Sequence, residues 1–201
     1  MDQLTRRLKT VLPQITASDF LSSEGIGNEI ACYVFDYDAQ DELRVRDHLQ
    51  RMDEQLDRDH RSLKVLRLDL LDVLTAYLTR RKLLKPFQAM EESKGTAAAL
   101  KALSGPLSTE KIRDFLHQEH RLNEHDLILI TGVGSVWPAL RVHGLLNNLH
   151  TVLGTTPLVL FYPGNFDGTS LRLFGKLDAD RDGPGKKPYY RAFILAPRPS
   201  S

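Results

Sequence analysis

The stretch Leu127-Ile128-Leu129-Ile130-Thr131-Gly132-Val133-Gly134-Ser135-Val136-Trp137-Pro138-Ala139-Leu140-Arg141 decides the fold. An apolar, β-branched run stops at two glycines, a serine and a proline, and helical spacing resumes beyond them. That order predicts a buried strand, a tight turn and the start of a helix. Ser135 is expected to cap the helix, with Pro138 in its tolerant first turn. Junctions of this kind aim backbone N–H groups at one point, where an anion or a partner's acidic group can bind. The turn is nevertheless not a nucleotide loop. A P-loop needs G-x-x-x-x-G-K-[S/T], because a lysine neutralises the phosphates and a hydroxyl meets Mg²⁺. No lysine occurs between Glu119 and Leu171. A dinucleotide loop needs a third glycine where Trp137 stands, and an acid about twenty residues further on to bind the ribose. No residue from Gly132 to Phe166 is acidic.

Upstream, the apolar run from Ile30 to Phe35 predicts a first strand buried on both faces, after a Ser22–Asn28 loop. From Asp41, Val45, Leu49, Met52 and Leu56 recur at helical spacing, as in a helix laid on a sheet. Leu63–Leu68 alternates enough to suit an edge strand, and Asp69 opens a helix through about Lys82. Residues 83–107 read as a helical insertion with little burial face, broken at Gly105-Pro106. Ser108 can cap the helix that follows. Downstream, Leu158–Tyr162 predicts a strand stopped by Pro163-Gly164. Leu171–Phe174 alternates as a strand does, and the polar Asp178–Lys187 stretch can close a hairpin with residues 190–195. At the amino end, Leu4, Leu8, Val11 and Leu12 predict a short helix ending before Pro13.

Strands alternating with helices predict an α/β fold: a three-layer, mostly parallel sheet of about five strands with helices on both faces. The expected topology is P-loop-like or Rossmann-like without a nucleotide motif, with an antiparallel edge near the C-terminus. The 201 residues suit one domain, with residues 1–24 an N-terminal helix and loop and residues 196–201 a frayed tail. A formal charge of +1 gives no basic domain for nucleic acid. Arg44, Arg46, Arg51 and Arg58 are interleaved with Asp47, Asp53, Glu54 and Asp57, which reads as a salt-bridged helix face before a DNA-binding one. The single Cys32 lies in an apolar run, so an inert core thiol in a reducing cytoplasm is expected. No apolar segment reaches the length of a membrane span.

Three constellations carry possible chemistry. Phe35-Asp36-Tyr37-Asp38 resembles the nucleophile motif of haloacid-dehalogenase-type phosphatases, where one carboxylate attacks phosphorus, the second is acid/base and Mg²⁺ bridges them. Gln40 departs from that motif, and no acidic pair closes a later strand. Asp36 and Asp38 are therefore read as acids at a helix start, with a Mg²⁺-dependent phosphohydrolase or nuclease as the alternative. His117, His120 and His125 lack a fourth ligand of the zinc type. Trp137, Arg141, Tyr162 and Asn165 should gather with Gly132, Gly134 and Ser135 on the rim formed by the carboxyl ends of parallel strands. Trp, Tyr and Arg dominate protein–protein hot spots, so this set is the candidate site for a partner or an anion. No catalytic residue, metal or cofactor is assigned.

Several blocks together resemble the BrxB family of bacterial BREX phage-defence systems. They are Gly25-Ile26-Gly27-Asn28-Glu29, Phe35-Asp36-Tyr37-Asp38 with Asp41–Arg46, Thr131–Pro138 with Arg141 and His143, Leu146–Leu149, Phe161–Gly164, Asp167–Phe174 and Tyr190–Phe193. The resemblance implies a defence role beside a methyltransferase, a large ATPase and PglZ, an alkaline-phosphatase-like protein. It implies a non-enzymatic adaptor or assembly subunit, with PglZ the expected contact among the BREX proteins. Direct DNA contact within the complex is the further alternative.

Overall fold

Alternate residues of the inner strands bury into two different cores. Ile128, Ile130, Leu158, Leu160 and Tyr162 join one, while Leu127, Leu129, Val159 and Phe161 join the other. A strand's period of two produces this when both faces of a sheet are covered. The computed structural model describes residues 1–22, 32–175 and 192–198. The chain runs through α1 (Gln3–Ile15), α2 (Ser18–Ser22), β1 (Cys32–Tyr37), α3 (Glu42–Asp59), β2 (Val65–Asp69) and α4 (Leu70–Arg80). It continues as α5 (Leu84–Lys94), α6 (Thr96–Leu103), α7 (Thr109–His120), β3 (Leu127–Thr131), α8 (Val133–Val136) and α9 (Val142–Leu153). It ends in β4 (Leu158–Phe166), β5 (Leu171–Leu173) and β6 (Ala192–Ile194).

The sheet order is β2-β3-β4-β1-β6, with every neighbouring pair parallel, and β5 pairs antiparallel with the end of β4. The fold is an α/β open sheet of six strands where about five were expected. Residues of α1 and α3 fill one core, and residues of α4, α7 and α9 fill the other. Of the two expected topologies, the dinucleotide order 3-2-1-4-5 is not adopted, because β4 lies between β3 and β1. The turn after β1, where that fold would carry its glycines, is Asp38-Ala39-Gln40-Asp41. β2 takes an edge, as its alternation predicts.

Several expectations are corrected. Pro163-Gly164 does not stop β4. Tyr37 pairs with Pro163 as the last β1 partner, and from Gly164 onward β4 pairs with β5. A missing N–H is tolerated where the ladder changes partner. Among the described residues the expected hairpin between Leu171–Phe174 and residues 190–195 is not formed. Asp167 closes a shorter turn by accepting the Thr169 and Ser170 N–H groups, which folds β5 back on β4. β6 lies parallel to β1 instead. Helix α1 runs past Pro13, because Val11 and Ile15 on either side are fully buried. Each such burial is worth about 1.5–3 kcal/mol, against roughly 3 kcal/mol for an interior proline. The helical insertion is two helices, α5 and α6, divided at Gly95 with φ of 82°. In the expected frayed tail, Ala196 is buried and Arg198 is ion-paired. The Ser22–Asn28 loop after Ser22, the residues before Cys32 in the first strand, the Asp178–Lys187 stretch, Tyr190-Arg191 and residues 199–201 lie outside the described residues.

Among the described residues no helix is long and apolar enough to cross a membrane. Burial pushes the Cys32 thiol up to about 12, so it stays protonated and inert near neutrality. Iodoacetamide at pH 8 is expected to label native protein more than about a hundredfold slower than urea-unfolded protein. Equal rates would show that this thiol meets solvent.

Candidate functional site

Because β1 to β4 are parallel, their carboxyl ends form one rim. Asp36 stands level with Tyr162 there, and Asp69 with Thr131. The glycine turn is built around Asp69. This carboxylate caps α4 by accepting the Leu71 N–H at 2.9 Å, and it accepts the Thr131 hydroxyl at 3.1 Å. Gly132 follows at φ of 74°, and a Cβ there would lie 2.6 Å from Asp69 Oδ1. Both the backbone angle and the close approach require glycine. The anion beside this turn is thus the chain's own, and a second one would be repelled by it. α8 is a single turn, so its dipole offers an outside anion little attraction.

Ser135 does not cap a helix, contrary to expectation. It lies inside α8, whose cap position is Gly132, and its hydroxyl accepts from Arg46 Nη2 at 3.2 Å. Arg46 also donates to Glu42 at 2.7 Å, tying the first turn of α3 to α8. Glu42 accepts the Tyr37 hydroxyl at 2.6 Å, and burial with that carboxylate raises the phenol pKa. Pro138 is not in a helical first turn either: α9 begins at Val142 and the Trp137–Pro138 peptide is cis.

Asp36 and Asp38 are held by arginines. Asp36, only 3% exposed, accepts from Arg7 Nη2 at 2.7 Å through one oxygen and from Arg198 Nε at 3.0 Å through the other. Arg198 also donates to Asp38 at 2.9 Å and to the Gly164 carbonyl at 3.1 Å. Arg7 donates its Nε–H to the Ala196 carbonyl at 2.7 Å and lies 4.6 Å over the Phe35 ring. Burial lowers the pKa of the Arg7 guanidinium, with Asp36 pulling the other way. Burial also works against Arg198, but hydrogen bonds and charge from Asp38 and Asp36 leave its pKa raised. A carboxylate with both oxygens bound to guanidiniums serves as a structural clasp joining α1, β1 and the C-terminal segment. That arrangement leaves it poorly placed as a nucleophile. Among the described residues no three His, Cys, Asp or Glu side chains meet as a metal-binding group.

The remaining rim residues divide. Trp137 is 43% exposed and meets Phe174 edge to face, with centroids 6.3 Å apart. Gly134 lies beneath, where a Cβ would come within 3.1 Å of the Phe174 ring. Trp137, Arg141 and the buried Tyr162 line one shallow cleft. Asn165 stands apart, in a cavity of about 290 Å³ with Asp36 and Arg198. Sequence reasoning missed Phe174, Leu43 and Leu71 on the rim, and Arg7 and Arg198 beneath it. For Arg7 a signal existed: it falls at helical spacing from Leu4 and Val11, on the buried stripe of α1.

Comparison with known proteins places these features in a family. The family model described as BREX protein BrxB matches residues 66–195. The chain is similar to a BREX protein BrxB of Bacillus cereus (strain H3081.97), 39% identical over 97% of this chain and 98% of that protein. It is also similar to a BREX protein BrxB of Escherichia coli O9:H4 (strain HS), 37% identical over 96% of this chain and 92% of that one. No solved structure matches.

Proposed function

The chain belongs to the BrxB family of BREX phage-defence systems, and on that premise we propose that it is a docking subunit. It binds other BREX proteins through the strand-end rim, with the alkaline-phosphatase-like PglZ as the contact, and it works in the cytoplasm. One observation carries this. Four of the seven large apolar side chains exposed among the described residues, Leu43, Leu71, Trp137 and Phe174, sit on the rim; the others are Met1 and, on β6, Phe193 and Ile194. Leu43 and Leu71 stand in the first turns of α3 and α4, Trp137 directly after α8, and Phe174 directly after β5. Arg46 bridging to Ser135 and Asp69 bridging to Thr131 hold these elements in one surface. Exposed apolar side chains on one rim, with a tryptophan and an arginine among its residues, suit protein association. The Asp-x-Asp pair, engaged by Arg7 and Arg198, supports docking over phosphoester hydrolysis.

PglZ co-purification tests the proposal. Wild type is expected to retain PglZ, and Trp137→Ala or Arg141→Glu to lose most of it while keeping the wild-type melting temperature. Retention by both folded variants would remove the rim as the docking surface.

A further inference from the structure

We infer that the segment docked on this rim is an acidic stretch of protein, laid across Trp137 and Phe174 with a carboxylate on Arg141. This rests on the docking function proposed above and adds the chemistry of the partner. Arg141 is exposed and makes no ion pair or side-chain hydrogen bond among the described residues. Many surface arginines are engaged: Arg44, Arg46, Arg51, Arg67 and Arg80 each hold an aspartate or glutamate of this chain. Arg6 and Arg61 are exposed without an ion pair among the described residues but do not stand beside Trp137 in this cleft. Arg141 shares the walls of its cleft with Trp137, beside an aromatic pair that is more than a third exposed at each ring. A guanidinium next to an exposed indole is a carboxylate receptor with an apolar shelf.

Two further observations restrict the occupant. The cleft holds only about 10 Å³, room for at most a water and for no side chain. The partner therefore lies over the surface and does not plug into it. Across the same rim, Asp69 and Asp72 line a cavity of about 270 Å³ and hold no ion pair among the described residues. Asp53 in its wall is paired with Arg67, and Asp38, Asp41 and Glu42 after β1 are paired with Arg198, Arg44 and Arg46. A nucleic acid, anionic along its whole length, would meet repulsion from Asp69 and Asp72 there. A protein segment can present its carboxylate to Arg141 and other chemistry to the acidic side.

A zero-length carbodiimide tests this with full-length chain and purified PglZ. The reagent condenses an amine with a carboxylate, losing water, and does not join a guanidinium. Arg141→Lys is expected to give a cross-linked peptide joining position 141 to an aspartate or glutamate of PglZ, absent from wild type. Its affinity should stay within about threefold of wild type, whereas Arg141→Glu should weaken binding about thirtyfold, as for a hot-spot residue. If wild type binds PglZ but Arg141→Glu binds equally well, or position 141 gives no such cross-link, the inference fails and docking survives. A cross-link from position 141 to a second copy of this chain, or single-stranded DNA binding abolished by Arg141→Glu, also overturns it. Absence of any wild-type complex with PglZ would sink the docking function itself, and this inference with it.

Discussion

Replacing Asp36 by alanine is expected to destabilise the protein by about 3–5 kcal/mol, the usual cost of breaking a buried ion pair by removing one partner. Asp36 neutralises Arg7, whose side chain is 8% exposed, and helps to hold Arg198. Without the carboxylate the Arg7 guanidinium is a buried charge left with the Ala196 carbonyl and the Phe35 ring, and with Arg198 repelling it and Asp38 attracting it. Urea denaturation should show the loss directly, and the melting temperature should fall by roughly 10 °C for a chain of this size. The companion double variant, Arg7→Met with Asp36→Leu, removes both charges and fills the space. It should recover much of the loss, because apolar replacements of buried pairs are often neutral. The same experiment separates the two roles of the Asp-x-Asp pair. A catalytic carboxylate is commonly held under strain, and its removal leaves stability unchanged or improved. If Asp36→Ala unfolds within about 0.5 kcal/mol of wild type, the clasp is not structural and the phosphohydrolase alternative regains its footing.

The clasp also shows why the fold was more legible than the site. Elements are written in local periodicity: Leu127–Ile130 announces a doubly buried strand, and Val45, Leu49, Met52 and Leu56 announce a helix face, each within a dozen residues. The site is assembled across the chain. Asp36 meets Arg7 at a separation of 29 residues and Arg198 at 162, and Asp69 meets Thr131 at 62. No local pattern encodes such a pairing. The glycine turn was located correctly, yet its meaning was not, because the carboxylate that fills it comes from another strand. Arg198 was harder still, since a Pro/Ser-rich end is the composition of an unpinned tail. Ser135 and Pro138 misled for a related reason: capping chemistry is judged from residue type, and the partner that claimed the Ser135 hydroxyl was Arg46 on a distant helix.

Gly164→Ala is expected to be the second severe substitution, at about 3 kcal/mol or more, the upper end for forcing atoms into a filled site. A Cβ at Gly164 would sit 2.1 Å from the Arg172 carbonyl oxygen and 2.9 Å from the Tyr162 ring. The nearer atom is backbone held in the β4–β5 ladder, where Gly164 pairs with Leu173. It cannot retreat without breaking the hairpin. The damage should spread in two directions, because the Gly164 carbonyl accepts from Arg198 and the adjoining Pro163 carbonyl accepts the Phe174 N–H. The clasp would loosen on one side and Phe174 would leave Trp137 on the other. Trp137 is the chain's one tryptophan, so its fluorescence reports that second movement without a label. Gly168→Ala supplies the control. At φ of 89° with nothing within 4 Å of a new Cβ, it should lose only about 1 kcal/mol, from backbone strain alone. Equal urea midpoints for the two alanine variants would mean that β5 yields readily. Phe174 would then be an adjustable part of the docking rim, and the preformed aromatic shelf on which partner binding depends would be lost from the mechanism.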